Sequence, residues 1–215
     1  MEGDRVFIIG DIHGCLEILK RITDKLDWRP ERDTLIFLGD YIDRGEDSKG
    51  VVDFILEILH SSSHVHCLMG NHEHIFLNYL DMIDYKTFFM NGGLETLRSY
   101  SLDKKSYREP LIPPEHISFF RSLKPCIELD EYYVVHAGFR PGVAIEDQSL
   151  DDQLWIREPF ISSGYDFGKR VIFGHTPFHE PLIMDNKIGL DTGAVYGNKL
   201  SCLEIPEMIF HSMEA

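Results

Sequence analysis

Residues Val6–Gly14 read VFIIGDIHG, a four-residue apolar run followed by glycine, an aspartate and, two positions on, a histidine. A run this short, rich in β-branched and aromatic residues, has the length and chemistry of a β-strand. The glycine after it lets the backbone turn sharply and approach a ligand closely. The same construction recurs at Leu35–Gly45 (LIFLGDYIDRG) and at Val65–Glu73 (VHCLMGNHE). Tyr132–Val135 runs into His136-Ala137-Gly138, and Val171–Phe173 into Gly174-His175-Thr176. Five apolar strands thus end at a residue able to bind a metal, and four of them place glycine immediately before it.

Strands are expected at Arg5–Ile9, Thr34–Leu38, His64–Met69, Tyr132–Val135 and Arg170–Phe173. Amphipathic helices separate the first three. Cys15–Leu26 puts Leu16, Leu19, Ile22 and Leu26 on one face, and Ser48–Leu59 does the same with Val51, Val52, Ile55 and Leu59. Strand, helix and strand at about 30 residues per step is a βαβ pattern, so the fold class is α/β with a parallel sheet core. From Glu73 to Lys124 the pattern turns helical and irregular, with short helices at Gly92–Tyr100 and Pro114–Leu123. After Phe167 it becomes strand-rich again. Asp185-Asn186-Lys187 reads as a tight hairpin in which asparagine would tolerate positive φ. Leu200–Ile205 reads as the last strand. The organisation expected is one domain over residues 1–215, with a helical insertion at about 73–125.

In such sheets the loops beyond the carboxyl ends of parallel strands converge, and ligand sites form there. Asp11, His13, Asp40, Asn71, His136 and His175 would be gathered into one place. Carboxylate, amide and imidazole donors without thiolate suit borderline divalent ions such as Mn, Fe or Zn. Six donors exceed what one ion takes from protein, and a carboxylate shared between two ions about 3.5–4 Å apart would use them all.

Composition narrows the partners. With 36 acidic against 21 basic residues the formal charge is −15, which opposes nucleic-acid binding. A site for phosphate must then bring its own positive charge, as a metal cluster would. No apolar run approaches the roughly 18 residues of a membrane helix, and Met1-Glu2-Gly3-Asp4-Arg5 lacks the features of a signal peptide. The four cysteines (Cys15, Cys67, Cys126, Cys202) form no CxxC pair and read as reduced, packed thiols. The expectation is a cytoplasmic protein with no membrane or nucleic-acid partner.

The segments GDIHG (Gly10–Gly14), GDYIDRG (Gly39–Gly45) and GNHE (Gly70–Glu73), with His136 and His175 following, resemble the calcineurin-like metallophosphoesterase superfamily. They resemble most closely its PPP-type Ser/Thr protein phosphatases of the compact bacterial and phage kind, near the symmetrical bis(5′-nucleosyl)-tetraphosphatases. The likeness runs from Val6 to about Leu203. It implies a β-sandwich of two mixed sheets flanked by helices, with the site at the carboxyl ends of the strands and two divalent ions, Mn first among them. It implies that Asp11, His13, Asp40 and His175 belong to or border one ion's shell and that Asn71 and His136 join Asp40 around the other, although many members of the superfamily place the residue matching His175 on the His136 side. By the same likeness Arg44, Arg157 and Asn71 bind substrate phosphate, His72 is the general acid and Asp43 orients it. A metal-bridging hydroxide would attack phosphorus in line.

Two enzymatic readings follow, with a third of another class. A phosphoserine or phosphothreonine phosphatase comes first, because symmetrical tetraphosphatases usually lack the aspartate standing here as Asp43. A dinucleoside polyphosphate hydrolase is the alternative, acting on a phosphorylated small molecule. A non-catalytic scaffold is the third, opposed by the complete donor set. Asp191, in GLDTG, is expected near the site without being a ligand. Trp155, Phe88-Phe89 and Phe119-Phe120 are expected in the core. His74 is expected at the surface or just behind the site, and Cys15 as a small hydrophobe at a helix start.

Overall fold

The computed structural model of the chain describes residues 5–102 and 111–215. The polar stretch Met1–Asp4 and residues 103–110 of the expected helical insertion lie outside the described residues.

Strands β1 (Val6–Ile9), β2 (Thr34–Phe37) and β3 (Val65–Cys67) run parallel, connected by α1 (Leu16–Lys25) and α2 (Ser48–Ser61). The sheet is mixed, as the resemblance implies. Strand β9 (Lys199–Ile205) lies antiparallel against β1, and β10 (Ile209–Glu214) against β9, giving the order β10-β9-β1-β2-β3. Leu200–Ile205 is therefore not the last strand. The chain turns back and adds an edge strand, whose half-exposed mixture of polar and apolar residues gives no continuous apolar run.

A second sheet takes β4 (Cys126–Glu128), β5 (Tyr132–Val135), β6 (Arg170–Phe173), β7 (Leu182–Ile183) and β8 (Lys187–Gly189) in the order β4-β5-β6-β8-β7. Here β5, β6 and β8 are parallel, and β7–β8 is the expected hairpin. Asn186 does not adopt positive φ there. Its amide instead donates to Ser163 O at 3.1 Å and Tyr165 O at 2.9 Å, tying the hairpin to the loop before β6.

Strands buried on both faces read as continuous apolar runs, which is why they were legible. Ile8 and Ile36 point between the sheets with Leu38, Leu68, Val134, Ile172, Ile188 and Leu203. Their neighbours Phe7, Ile9, Leu35 and Phe37 point outward beneath α1 and α2. On the far side of the second sheet, Val135, Val171 and Phe173 pack against Phe160 and Ile156. The second sheet carries on that face α7 (Leu150–Trp155) and α8 (Glu158–Ile161), too short to leave a periodic signal.

Between β3 and β4 the described residues form α3 (Asn71–Leu80), α4 (Tyr85–Met90), α5 (Gly93–Ser99) and α6 (Pro114–Ser122). Asp84 caps α4 by accepting from the amides of Lys86 and Thr87, a helix start of the usual kind. This stretch also reaches the strand ends, because Arg44 N donates to Gly92 O at 3.2 Å. Among the described residues no helix is long and apolar enough to cross a membrane.

Candidate metal centre and phosphate site

The carboxyl ends of β1, β2, β3, β5 and β6 meet where the two sheets face each other. Side chains there are placed by backbone in an uncommon conformation. His13 (φ 46°), Asp40 (52°), Asp43 (70°), Arg44 (69°) and His175 (64°) all occupy the left-handed region, five of the seven non-glycine residues that do so among those described. Each costs on the order of 1–3 kcal/mol, a strain that persists only where surrounding structure enforces it. Two glycines make room for carboxylates. A Cβ on Gly70 would collide with Asp40 Oδ1, and one on Gly174 with Asp11 Oδ1.

Asp40 stands at the centre. Its Oδ2 faces His13 Nε2 at 3.4 Å, and its Oδ1 faces His136 Nε2 at 3.4 Å. Two overlapping groups of candidate ligands result, one containing His13, Asp40 and His72, the other Asp40, His136 and His175. His175 sits on the His136 side, 2.8 Å from Asn71 Oδ1 through Nδ1, which is one of the two placements the resemblance leaves open. Asp11 is held by the His175 amide, which donates to Oδ2 at 3.0 Å, while its buried Oδ1 has no partner.

The donor set fits divalent cations. His13 Nδ1 donates to Ile42 O at 2.8 Å and His136 Nδ1 to Leu38 O at 2.9 Å, so both rings turn the Nε2 lone pair inward. His136 Nε2 then confronts Asn71 Oδ1 at 3.0 Å, alongside the Asp40 carboxylate. Lone pairs converging without a proton between them repel, and a cation reverses that sign. Burial drives His13 and His175 down to about 3, keeping both imidazoles in the neutral form that binds metal. Burial, and then the charges of Asp191 and Asp40, push Asp11 well above the carboxylate range; burial raises Asp191 to about 6.

His72 differs from the other candidate ligands in having a carboxylate partner of its own, Asp43, besides its closeness to Asp40. Its Nδ1 is 2.6 Å from Asp43 Oδ2, and both side chains are fully buried. Its Nε2 is buried, lacks a partner, and lies 3.9 Å from Asp40 Oδ2. Burial opposes the charged ring, but Asp40 and Asp43 outweigh it and raise the His72 pKa.

Both arginines reach the cluster. Arg44 Nη1 donates to His13 Nε2 at 2.6 Å, and Arg157 Nε to His175 Nε2 at 3.1 Å. The guanidinium groups thus approach from the two ligand groups' separate sides.

Three supports were not anticipated. Glu73 is completely buried and accepts from the amides of Asp40 (2.8 Å), Tyr41 (2.8 Å) and Gly70 (3.0 Å), binding the second motif's turn to the third. It stands inside the GNHE segment, so the signal was present. Thr96 Oγ1 donates to Asp43 Oδ1 at 2.6 Å, and Ser48 Oγ accepts from Asp43 N at 3.1 Å. No local pattern marks Thr96. Asp191 accepts from Gly193 N at 2.9 Å, and its charge acts on Asp11.

Of the expected core aromatics, Phe88, Phe119 and Phe120 are buried, but Phe89 is 42% exposed. Trp155 is half-buried with its ring edge-on to His175, 6.0 Å between centroids, so it borders the site. His74 is half-buried, and burial lowers its pKa. Burial lifts the Cys15 thiol to about 11, consistent with an unreactive small hydrophobe.

The family model for calcineurin-like phosphoesterases matches residues 4–202. The chain belongs to this family. It is 27% identical over 227 residues to "Bis(5'-nucleosyl)-tetraphosphatase PrpE [asymmetrical]" of Bacillus thuringiensis (strain Al Hakam), covering 94% of this chain and 90% of that protein. Among solved structures it resembles one provisionally named a diadenosine tetraphosphatase, with TM-score 0.78 and 24% identity over 99% of this chain and 94% of the other. A protein serine/threonine phosphatase of Saccharomyces cerevisiae superposes with TM-score 0.65 at 16% identity, over 99% of this chain and 80% of that one. The metallophosphoesterase fold of two mixed five-stranded sheets is common ground among them.

Proposed function

We propose that this phosphoesterase hydrolyses dinucleoside polyphosphates, splitting diadenosine tetraphosphate unequally into AMP and ATP. The observation that carries this reading is similarity along nearly the full length of both chains to tetraphosphatases named asymmetrical. The presence of Asp43 weighs against the symmetrical branch only, so it does not oppose this reading.

In this proposal Asp11, His13 and Asp40 hold one divalent ion, and Asp40, Asn71, His136 and His175 the other, with Mn the first candidate. Bound there, such ions neutralise phosphate oxygens and acidify water. Arg44 and Arg157 grip neighbouring phosphate oxygens from the two sides, each able to make paired hydrogen bonds. His72, protonated at Nε2 and held through Nδ1 by Asp43, gives its proton to the departing oxygen as the phosphorus–oxygen bond breaks and water oxygen replaces it. Thr96 and Ser48 fix Asp43 so that His72 keeps this orientation.

One observation favours a second reading, hydrolysis of phosphoserine or phosphothreonine. The fully buried Asp43–His72 pair is the acid that a basic alkoxide leaving group needs; a leaving nucleotide needs it less. Hydrolysis of diadenosine tetraphosphate and of a phosphothreonine peptide, compared on protein stripped of metal and reconstituted with Mn²⁺, tests both. Preference for the dinucleotide with AMP and ATP as products is expected. Preference for the peptide would transfer the function to the second reading.

A further inference from the structure

Tyr196 is 63% exposed although the turn that carries it is anchored at its base. The short 3₁₀ turn Ala194–Tyr196 lies between Gly193 (φ 68°) and Gly197 (φ 84°). Asp191 accepts from Gly193 N, Thr192 Oγ1 donates to Lys199 O at 2.7 Å, and Asn198 Nδ2 donates to Thr192 O at 2.7 Å. Tyr196 N closes the turn on Gly193 O at 2.9 Å. An aromatic ring is thus presented to solvent on a fixed support.

What the ring stands beside gives it a use. The Arg44 guanidinium carbon lies 5.8 Å from its centroid, while the same guanidinium touches His13 of the ligand cluster. Aromatic face, phosphate-binding guanidinium and candidate metal ligands therefore follow one another in space. A nucleotide has the same succession of groups, a flat base first and its phosphates after. Other exposed aromatics, Tyr85 and Tyr165 among them, have no such arginine contact among the described residues.

We propose that Tyr196 is the stacking platform for the nucleobase of the nucleotide whose phosphates Arg44 holds. This rests on the dinucleotide reading and deepens it, naming the residue that distinguishes a nucleoside-bearing phosphate from a bare one. Stacking is indifferent to which base is present, so the platform accepts purine nucleotides broadly.

The test is calorimetric titration of ATP and of inorganic tripolyphosphate into Mn²⁺-loaded protein, wild type beside Tyr196→Ala and Tyr196→Phe. Wild type is expected to bind ATP about tenfold or more tightly than tripolyphosphate, as one base stacked on an aromatic ring provides. Tyr196→Ala should bring that ratio close to one, and Tyr196→Phe should preserve it. A wild-type ratio near one overturns the proposal. So does an equal loss for both ligands in Tyr196→Ala, which would reduce Tyr196 to a support for Arg44. The substrate reading fails separately. Wild type that shows the ATP preference but leaves diadenosine tetraphosphate intact keeps the platform and discards that substrate. Cleavage of the dinucleotide without the preference does the reverse.

Discussion

Asp33 and Asp40 bracket strand β2 at its two ends, both buried, and their surroundings are opposite. At the amino end Asp33 receives Arg29 through both carboxylate oxygens, Arg5 at 2.7 Å and the Arg29 amide at 3.0 Å. Permanent cations satisfy it. At the carboxyl end Asp40 is paired, among the described residues, only with the histidines His13, His72 and His136. Burial keeps His13 and His136 neutral, so they cannot compensate a carboxylate as guanidinium groups do, and His72, whose pKa is raised, is held by Asp43 instead. A buried charge without a fixed counter-charge is a large liability, and it is tolerated here because the place is suited to an ion from outside. One strand thus carries a structural aspartate and a candidate functional one, and the identity of the partners tells them apart.

The largest effect expected from breaking this contrast is at Asp40. Asp40→Asn removes the only carboxylate common to both ligand groups, so metal content and hydrolysis should be lost together. Elemental analysis of the purified variant beside an activity assay checks this, and retention of both ions would show that the carboxylate is not shared. His72→Asn should leave the metal content intact. Its turnover should fall about 10²–10⁴-fold on a phosphothreonine peptide and distinctly less on diadenosine tetraphosphate. Equal losses on the two substrates would remove His72 as the proton donor.

The Asp40 end of β2 was legible because its chemistry is written contiguously. A strand, a glycine and a ligand occupy adjacent positions in Val6–Gly14, Leu35–Gly45 and Val65–Glu73, and parallel topology brings those ends together. Less legible was which ion His175 serves, since that depends on how the β6 loop bends at φ 64°, and no residue type encodes the bend. Thr96 was invisible for another reason. It meets Asp43 from 53 positions away through a single hydroxyl in α5, and one threonine in a short helix is ordinary. Strand β10 escaped because an edge strand needs only one buried face. The second sheet's α7 and α8 span too few turns for periodicity to register.

The hidden support at Thr96 gives the next largest effect. Thr96→Val keeps the shape and removes the hydroxyl, leaving Asp43 Oδ1 short of a donor in a buried site, at a cost of about 1–3 kcal/mol in stability. Because Asp43 orients His72, turnover on the phosphothreonine peptide should fall, by on the order of tenfold, with metal content preserved. Thr96→Ser should recover most of it. A Thr96→Val enzyme that loses stability but no turnover would confine Thr96 to the fold.

Asp33 should respond in the opposite currency, stability without function. Although burial favours its neutral form, hydrogen bonds from Arg29 and Arg5 hold its pKa below the usual carboxylate range. A carboxylate depressed in the folded state contributes stability that is fully present above its unfolded value of about 3.9, and that contribution is lost as pH falls through the folded value. Asp33→Asn should therefore cost about 1–3 kcal/mol at pH 7, leave metal content and turnover per folded molecule unchanged, and cost less at pH 3. Urea unfolding of both proteins at the two pH values measures the difference. A gap equally wide at pH 3 would mean that the arginines recognise the shape of Asp33 rather than its charge. The distinction between the two ends of β2 would then rest on Asp40 alone.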